Sequence, residues 1–193
     1  MLDNLQKYHV LLASKSPRRR ELLNQLRIPY DIVSAGKVDE VYPDDIPALD
    51  VSQYLSALKA NAFSDLIHRN ELLITADTVV VLDGKVLGKP KNRDESIEML
   101  RELSGKVHKV SSGVTITTKD RRTTFSCTTE VKLTDIDDED IKYYVDNFSP
   151  FDKAGSYGIQ EWIGCVAVEW IKGSYYNVIG LPLHRLYEEL KLF

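Results

Sequence analysis

Apolar residues recur along the chain in two rhythms, one of strands and one of helices. The run Val10-Leu-Leu-Ala13 is short and continuous, as in a buried strand. Ser14 to Ser16 break it, and Pro17 suits the first helical position, where its missing N–H is not needed. Leu22, Leu23 and Leu26 give that helix an apolar stripe, and Ile28-Pro29-Tyr30 ends it. Tyr30 to Ser34 predicts a second strand. A loop rich in proline and acid (44–49) leads into an amphipathic helix predicted over 51–67, which carries Lys59. The most apolar stretch, LLITADTVVVL at 72–82, predicts a central strand bent or interrupted around Ala76-Asp77-Thr78. Asp83-Gly84 is a hairpin signal, and Val86-Leu87 resumes as strand.

Residues 93–103 read as a helix closed by Ser104-Gly105. Residues 107–118 and 122–133 alternate in polarity and are rich in Thr, Val and Ile, which predicts an antiparallel pair around 119–121. Thr134 to Asp138 supply caps for a helix through Phe148. A glycine-bearing loop (151–160), a strand (165–171), a loop of small and aromatic residues (173–177) and a final helix (183–192) complete the pattern. This succession predicts a mixed α/β class. No repeat or linker divides the chain, so residues 1–193 read as one domain, with two lobes around a cleft.

Composition narrows the chemistry. The 193 residues are 43% hydrophobic, enough for one sizeable core, and the net charge of -4 argues against a general nucleic-acid binder. A basic stretch in an acidic chain points instead to a local anion site. Cys127 and Cys165 lie far apart in no metal-like spacing and read as thiols in a reducing compartment. The start lacks the basic residues and apolar run of a signal peptide, and no window approaches a membrane span. The expected location is the cytoplasm, with no membrane partner.

The stretch LASKSPRRRELL (12–23) places three arginines behind a proline. A strand, a serine loop and a helix start offer free N–H groups and the positive end of a dipole. Ser14 and Ser16 add hydroxyls. Arg18 and Arg19 sit in the first turn, where positive charge opposes the dipole, and a phosphate would offset that cost. The stretch alone fits equally well an N-cap serine followed by solvated arginines. Asp77 lies within an apolar run and needs a metal, a cation or a hydrogen-bond network, as a general base or metal ligand does. Lys89, before Pro90, is a flexible point charge suited to phosphate, though surface lysines are common. Glu40, Asp39 and Lys59 alone read as surface charges. Gln160 follows a loop with two glycines and offers both donor and acceptor, as a pyrimidine edge demands. The four histidines stand in no catalytic or metal-binding spacing. Arginine, lysine and carboxylate together favour phosphate chemistry with a hard metal.

Taken in order, these pieces resemble the Maf family of nucleoside triphosphate pyrophosphatases: Ser14-Lys-Ser-Pro-Arg-Arg19, the acids Asp39-Glu40, Lys59-Ala60, Ala76-Asp-Thr78, Gly88-Lys-Pro90, Leu103-Ser-Gly105, Asp152-Lys-Ala-Gly-Ser-Tyr-Gly-Ile-Gln160 and Gly180-Leu-Pro182. The resemblance covers nearly the whole chain. It implies an elongated α/β fold, a mixed sheet with flanking helices and a central cleft, similar to the inosine triphosphate pyrophosphatases. It implies hydrolysis of a nucleoside triphosphate to the monophosphate and pyrophosphate with Mg²⁺ or Mn²⁺, and commonly a homodimer. Carried over by position, Asp77 is the general base, and Arg18, Thr78 and Gln160 mark the branch acting on dTTP and UTP. Ser14, Ser16, Arg19, Lys59 and Lys89 form the phosphate-binding set, and Glu40 with Asp77 would face the metal. Modified pyrimidine nucleotides are further candidate substrates. The competing reading is a nucleotide-binding regulator without catalysis, since the family has been linked to inhibition of septum formation. A carboxylate beside triphosphate oxygens favours the enzyme.

Overall fold

The computed structural model describes residues 2–34 and 38–193. The chain enters as β1 (His9–Ala13), α1 (Pro17–Gln25) and β2 (Asp31–Ile32), with β2 parallel to β1. The second strand is two residues long rather than spanning 30–34. Both residues are exposed, so no apolar face extends the pairing. α2 (Val51–Asn61) is shorter than the predicted 51–67 helix, and a separate 3₁₀ turn covers Ser64–Leu66. Asn61, Ser64 and Asp65 all compete for backbone hydrogen bonds outside a helix interior.

β3 (Glu71–Leu82) turns at Asp83-Gly84 into β4 (Lys85–Leu87), followed by α3 (Arg93–Leu103) and β5 (Val107–Thr117). The interruption expected at 76–78 is not in the strand itself. β5 pairs with β3 without a break, from Leu73 opposite Thr117 to Val81 opposite Lys109. The break lies on the other edge. β1 runs parallel to β3 only as far as Thr75, and β4 takes up the edge again at Val80. Residues 76–79 therefore have no strand neighbour on that side among the described residues.

β6 (Arg122–Leu133) returns antiparallel to β5, and α4 (Asp138–Phe148) follows. Residues 162–167, part of which reads as strand, form α5 (Trp162–Ala167), and the strand β7 begins only at Val168 (Val168–Lys172). Ile163 and Ala167, four residues apart, are the buried positions there, which is a helical spacing inside a run too short to show it. The 173–177 loop in turn gives way to α6 (Tyr175–Ile179), whose N-cap Ser174 accepts the Asn177 N–H. α7 (Leu183–Leu190) ends the fold two residues before the predicted limit. Among the described residues the mixed sheet has seven strands, in the order β2-β1-β3-β5-β6-β7, with β4 beside β3.

The alternation of β3 organises the interior. Leu72 and Ile74 on one face join a cluster with Leu12, Leu23, Leu181, Leu186 and Leu190. Further along the same face, Val80 and Leu82 join a second cluster with Leu100, Leu133, Ile141 and Ile163. On the opposite face, Leu73 packs with Ala60 and Phe63, while Val79 and Val81 pack with Val51 and Leu55 of α2. α2 lies very close to the sheet. A Cβ at Gly113, the residue opposite Asp77 on β5, would sit 2.3 Å from the Ser52 carbonyl. Serines fill that seam: Ser52 Oγ lies 2.9 Å from Ser111 Oγ, and Ser56 Oγ lies 2.9 Å from Thr115 Oγ1.

Candidate active site

The unpaired edge of β3 opens into a cleft of about 750 Å³. All of the sequence-predicted site residues line it: Ser14, Ser16, Arg18 and Arg19 from the β1–α1 turn, Glu40, Lys59 of α2, Asp77 and Thr78 of β3, Lys89, and Gln160. Strand alternation sends the two β3 side chains to opposite faces. Asp77 turns toward α2, and Thr78 turns toward α1 and α6.

On the α2 side, Lys59 projects from the last turn of its helix and binds the Asp77 carboxylate directly. Its Nζ also lies 2.9 Å from Glu40 Oε1. Asp77 is 8% exposed, so this cation supplies the pairing that burial requires. Burial pushes the Glu40 carboxyl up, but the hydrogen bond and charge of Lys59, with Lys89 and Arg19 behind it, outweigh this and leave it below the usual carboxylate range.

On the other face, Arg19 is a brace for the gap. Its Nε donates to the Gly180 carbonyl (2.9 Å), Nη1 to the Ala76 carbonyl (2.9 Å) and Nη2 to Thr78 Oγ1 (3.0 Å). The Ala76 carbonyl lies in the stretch of β3 that lacks a strand partner on that edge. Gly180 presents its own carbonyl from φ = +130°, a backbone state that favours glycine. Desolvation lowers the Arg19 pKa, and the Asp77 charge works against that fall. Three of the five guanidinium N–H groups are thus spent on protein, and Arg19 is one of the residues that line the cleft. Thr78 Oγ1 is also 2.9 Å from Ser112 Oγ, which donates to the Asn177 carbonyl of α6.

The three arginines go separate ways. Arg18 reaches the Asp152 carboxylate (Nη1 to Oδ2, 2.5 Å), Arg19 braces the gap, and Arg20 Nη2 donates to the Ser14 carbonyl at 3.4 Å. Ser14 Oγ accepts the Ser16 N–H at 3.2 Å. Lys89 and Gln160 are exposed side chains at the rim.

Sequence reading misses the acid–base pairs around Asp152 and Lys153, which also line the cleft. Lys153, only 8% exposed, lies 2.8 Å from Asp152 Oδ1 and 3.0 Å from Glu161 Oε1, and Tyr144 donates to the same Glu161 carboxylate. Burial pushes the Asp152 carboxyl up, yet Lys153 and Arg18 pull it down to about 2. The only signal in the sequence is that Asp152, Lys153 and Glu161 flank a glycine-rich segment, where no periodicity marks burial.

Among the described residues, no three or more His, Cys, Asp or Glu side chains gather to form a metal cage. Of the carboxylates lining the cleft, Glu40 and Asp77 are the two that converge on one cationic position, the Lys59 ammonium. That set fits a Mg²⁺ or Mn²⁺ ion that takes one or two protein carboxylates and draws its other ligands from phosphate and water.

Comparison with known proteins gives a consistent picture. A family profile described as Maf-like protein matches residues 9–193. A protein of Phocaeicola vulgatus named dTTP/UTP pyrophosphatase is 51% identical over 191 residues, covering 99% of both chains. Proteins of the same name from Parabacteroides distasonis and Flavobacterium johnsoniae are 50% and 42% identical, over 100% and 97% of this chain and 100% and 96% of theirs. Among solved structures, a HAM1 protein from Coxiella burnetii superposes with a TM-score of 0.51 at 13% identity, covering 96% of this chain and 100% of that one, a likeness of fold. The match runs from the first strand to the last residue, and the chain belongs to the Maf family.

Proposed function

We propose that the chain hydrolyses dTTP and UTP, releasing pyrophosphate and the nucleoside monophosphate. The observation that carries this reading is the nearly buried Asp77 carboxylate, held by Lys59 on the open edge of β3 within a cleft ringed by Arg18, Arg19 and Lys89. The relatives that bear the name dTTP/UTP pyrophosphatase point to the same substrates.

The cleft's cations neutralise the triphosphate and the charge that develops as the anhydride bond breaks. Arg19 lines the cleft with its charge, and Lys89 offers a flexible point charge from the rim. Asp77 accepts the proton of the attacking water, and Lys59, bound directly to the carboxylate, orients it for that step. Arg18, Thr78 and Gln160 select the base: the Gln160 amide can pair with the donor and acceptor edge of uracil or thymine, and a site that fixes its orientation for that edge leaves polar groups unmatched against cytosine. The extra methyl of thymine changes little, so dTTP and UTP, and modified pyrimidines of similar edge, are handled alike. Glu40 and Asp77 would hold Mg²⁺ or Mn²⁺, which supplies charge neutralisation and an acidified water when bound. We read residues 1–193 as one catalytic unit in the cytoplasm, in keeping with two unpaired cysteines and with no helix long and apolar enough to cross a membrane among the described residues. A homodimer is the assembly we expect, with sedimentation as its test.

The deciding experiment is pyrophosphate release from a panel of nucleoside triphosphates with Mg²⁺ or Mn²⁺, wild type beside Asp77→Asn. Release from dTTP and UTP, with the monophosphate as co-product, is expected and is lost in the variant. Tight nucleotide binding without any release would overturn the catalytic reading.

A further inference from the structure

A continuous chain of charged and polar groups links two parts of the cleft that are far apart in sequence. It starts at Arg18, which donates to Asp152 through Nη1 (2.5 Å) and to the Asp152 backbone carbonyl through Nη2 (3.3 Å). The other oxygen of that carboxylate accepts from Lys153 (2.8 Å), and Lys153 also pairs with Glu161 (3.0 Å). The second Glu161 oxygen accepts from Tyr144, whose hydroxyl in turn accepts the Gly158 N–H at 3.0 Å. Gly158 opens the turn that carries Gln160, and that turn closes with a Glu161 N–H to Gly158 carbonyl bond of 2.9 Å.

A lysine buried to this degree is costly, and an apolar residue of similar size would fill the space more cheaply. The chain's place in the cleft explains the cost: Asp152 and Lys153 line it themselves, and the two ends reach further lining residues, Arg18 at one end and the Gly158–Gln160 turn at the other. We propose that Asp152 is a positioning residue for base selection, fixing Arg18 and coupling it through Lys153 and Glu161 to the Gln160 turn, so that the two sides of the base site move together. This rests on the proposed pyrimidine nucleotide activity and adds to it residues that act through Arg18 rather than on the substrate. Asp152 also opposes a triphosphate electrostatically. Its neutralisation therefore leaves general anion binding intact or stronger while loosening the arginine's geometry.

The test is a double-mutant cycle read as selectivity. Asp152→Asn, Arg18→Gln and the double variant are assayed for kcat/KM on UTP and on CTP, with thermal midpoints recorded alongside. Asp152 is half-exposed and the substitution keeps its shape, so the variant folds. Each single variant is expected to lose about tenfold in the UTP-to-CTP ratio, and the double variant to lose no more than either. Lys153→Met keeps the Arg18–Asp152 pair and cuts the link to Glu161; it is expected to lose selectivity in the same direction. A uniform fall on both nucleotides with the ratio intact, an unchanged ratio in Asp152→Asn or Lys153→Met, or a double variant that falls by the product of the single effects would each overturn the proposal. If wild type releases no pyrophosphate from UTP, the parent reading fails first and this one falls with it.

Discussion

Gly113→Ala adds one methyl group where α2 lies close against the sheet. The new Cβ would lie 2.3 Å from the Ser52 carbonyl carbon and oxygen and 2.4 Å from the Gln53 nitrogen. Ordinary contact begins near 3.4 Å, so α2 must retreat by about 1 Å. The obstructing atoms are backbone, so no side chain can swing aside. Overpacking of this kind costs about 1–3 kcal/mol. The retreat also stretches the Ser52–Ser111 hydrogen bond of 2.9 Å, worth about 1 kcal/mol, for a total loss of about 2–4 kcal/mol. Lys59 rides on the same helix and would be displaced from Asp77, and a misplacement near 1 Å costs about a hundredfold in rate. Urea unfolding and pyrophosphate release, measured on one preparation, check both numbers. Gly88→Ala, with nothing within 4 Å of the added Cβ, is the stability control. A loss below about 0.5 kcal/mol, or a normal rate in a destabilised variant, would refute the chain of reasoning from Gly113 through α2 to Asp77.

Arg19→Met removes the donor to two carbonyls and a hydroxyl; it is expected to cost about 2–4 kcal/mol in urea unfolding as well as most of the activity, because the brace is structural as much as catalytic. His108 is buried against Tyr157 (2.7 Å) and desolvation lowers its pKa to about 4 from 6.5. The unfolded chain therefore binds the extra proton first, so the His108 contribution to stability is lost as pH falls from 6.5 toward 4, by about 3 kcal/mol in all. His108→Gln should flatten the acid limb of the stability profile, and an unchanged limb would refute the assignment. Chelation of divalent metal is expected to abolish pyrophosphate release yet leave the thermal midpoint nearly unchanged, since Lys59 already pairs with Glu40 and Asp77; a large drop in the midpoint would contradict this.

Much of the fold can be read from the sequence where hydrophobic period and element length agree. The α3 limits and the β5–β6 hairpin are legible because a long alternating run has few other solutions. Legibility fails where a short run fits two periods. Ile163 and Ala167 bury one helical face inside what also reads as strand, and the 173–177 segment hides a helix barely longer than one turn. The Ala76–Thr78 region is instructive in another way. The polar Asp77 within an apolar strand signals a break, yet the break belongs to the neighbouring ladder, which no local pattern in β3 records. The site residues could be listed because their types and order match a known constellation. The Asp152–Lys153–Glu161 chain could not, because pairing across the loop depends on where Arg18 and Tyr144 come to lie.

The missing neighbour of β3 turns strand length into a functional quantity. Four residues of open edge span about 13 Å, and that width is set only by where β1 stops and β4 starts. A sheet gains by pairing, so extending β1 past Ala13 would zip the ladder shut, satisfy the Ala76 carbonyl with a strand and leave Arg19 without its task. Such a protein would be more regular, and it would have nowhere to put a nucleotide. The serines and Pro17 that end β1 thus hold the sheet short of completion, and insertions or deletions at that junction are expected to be tolerated by the fold far better than by the activity.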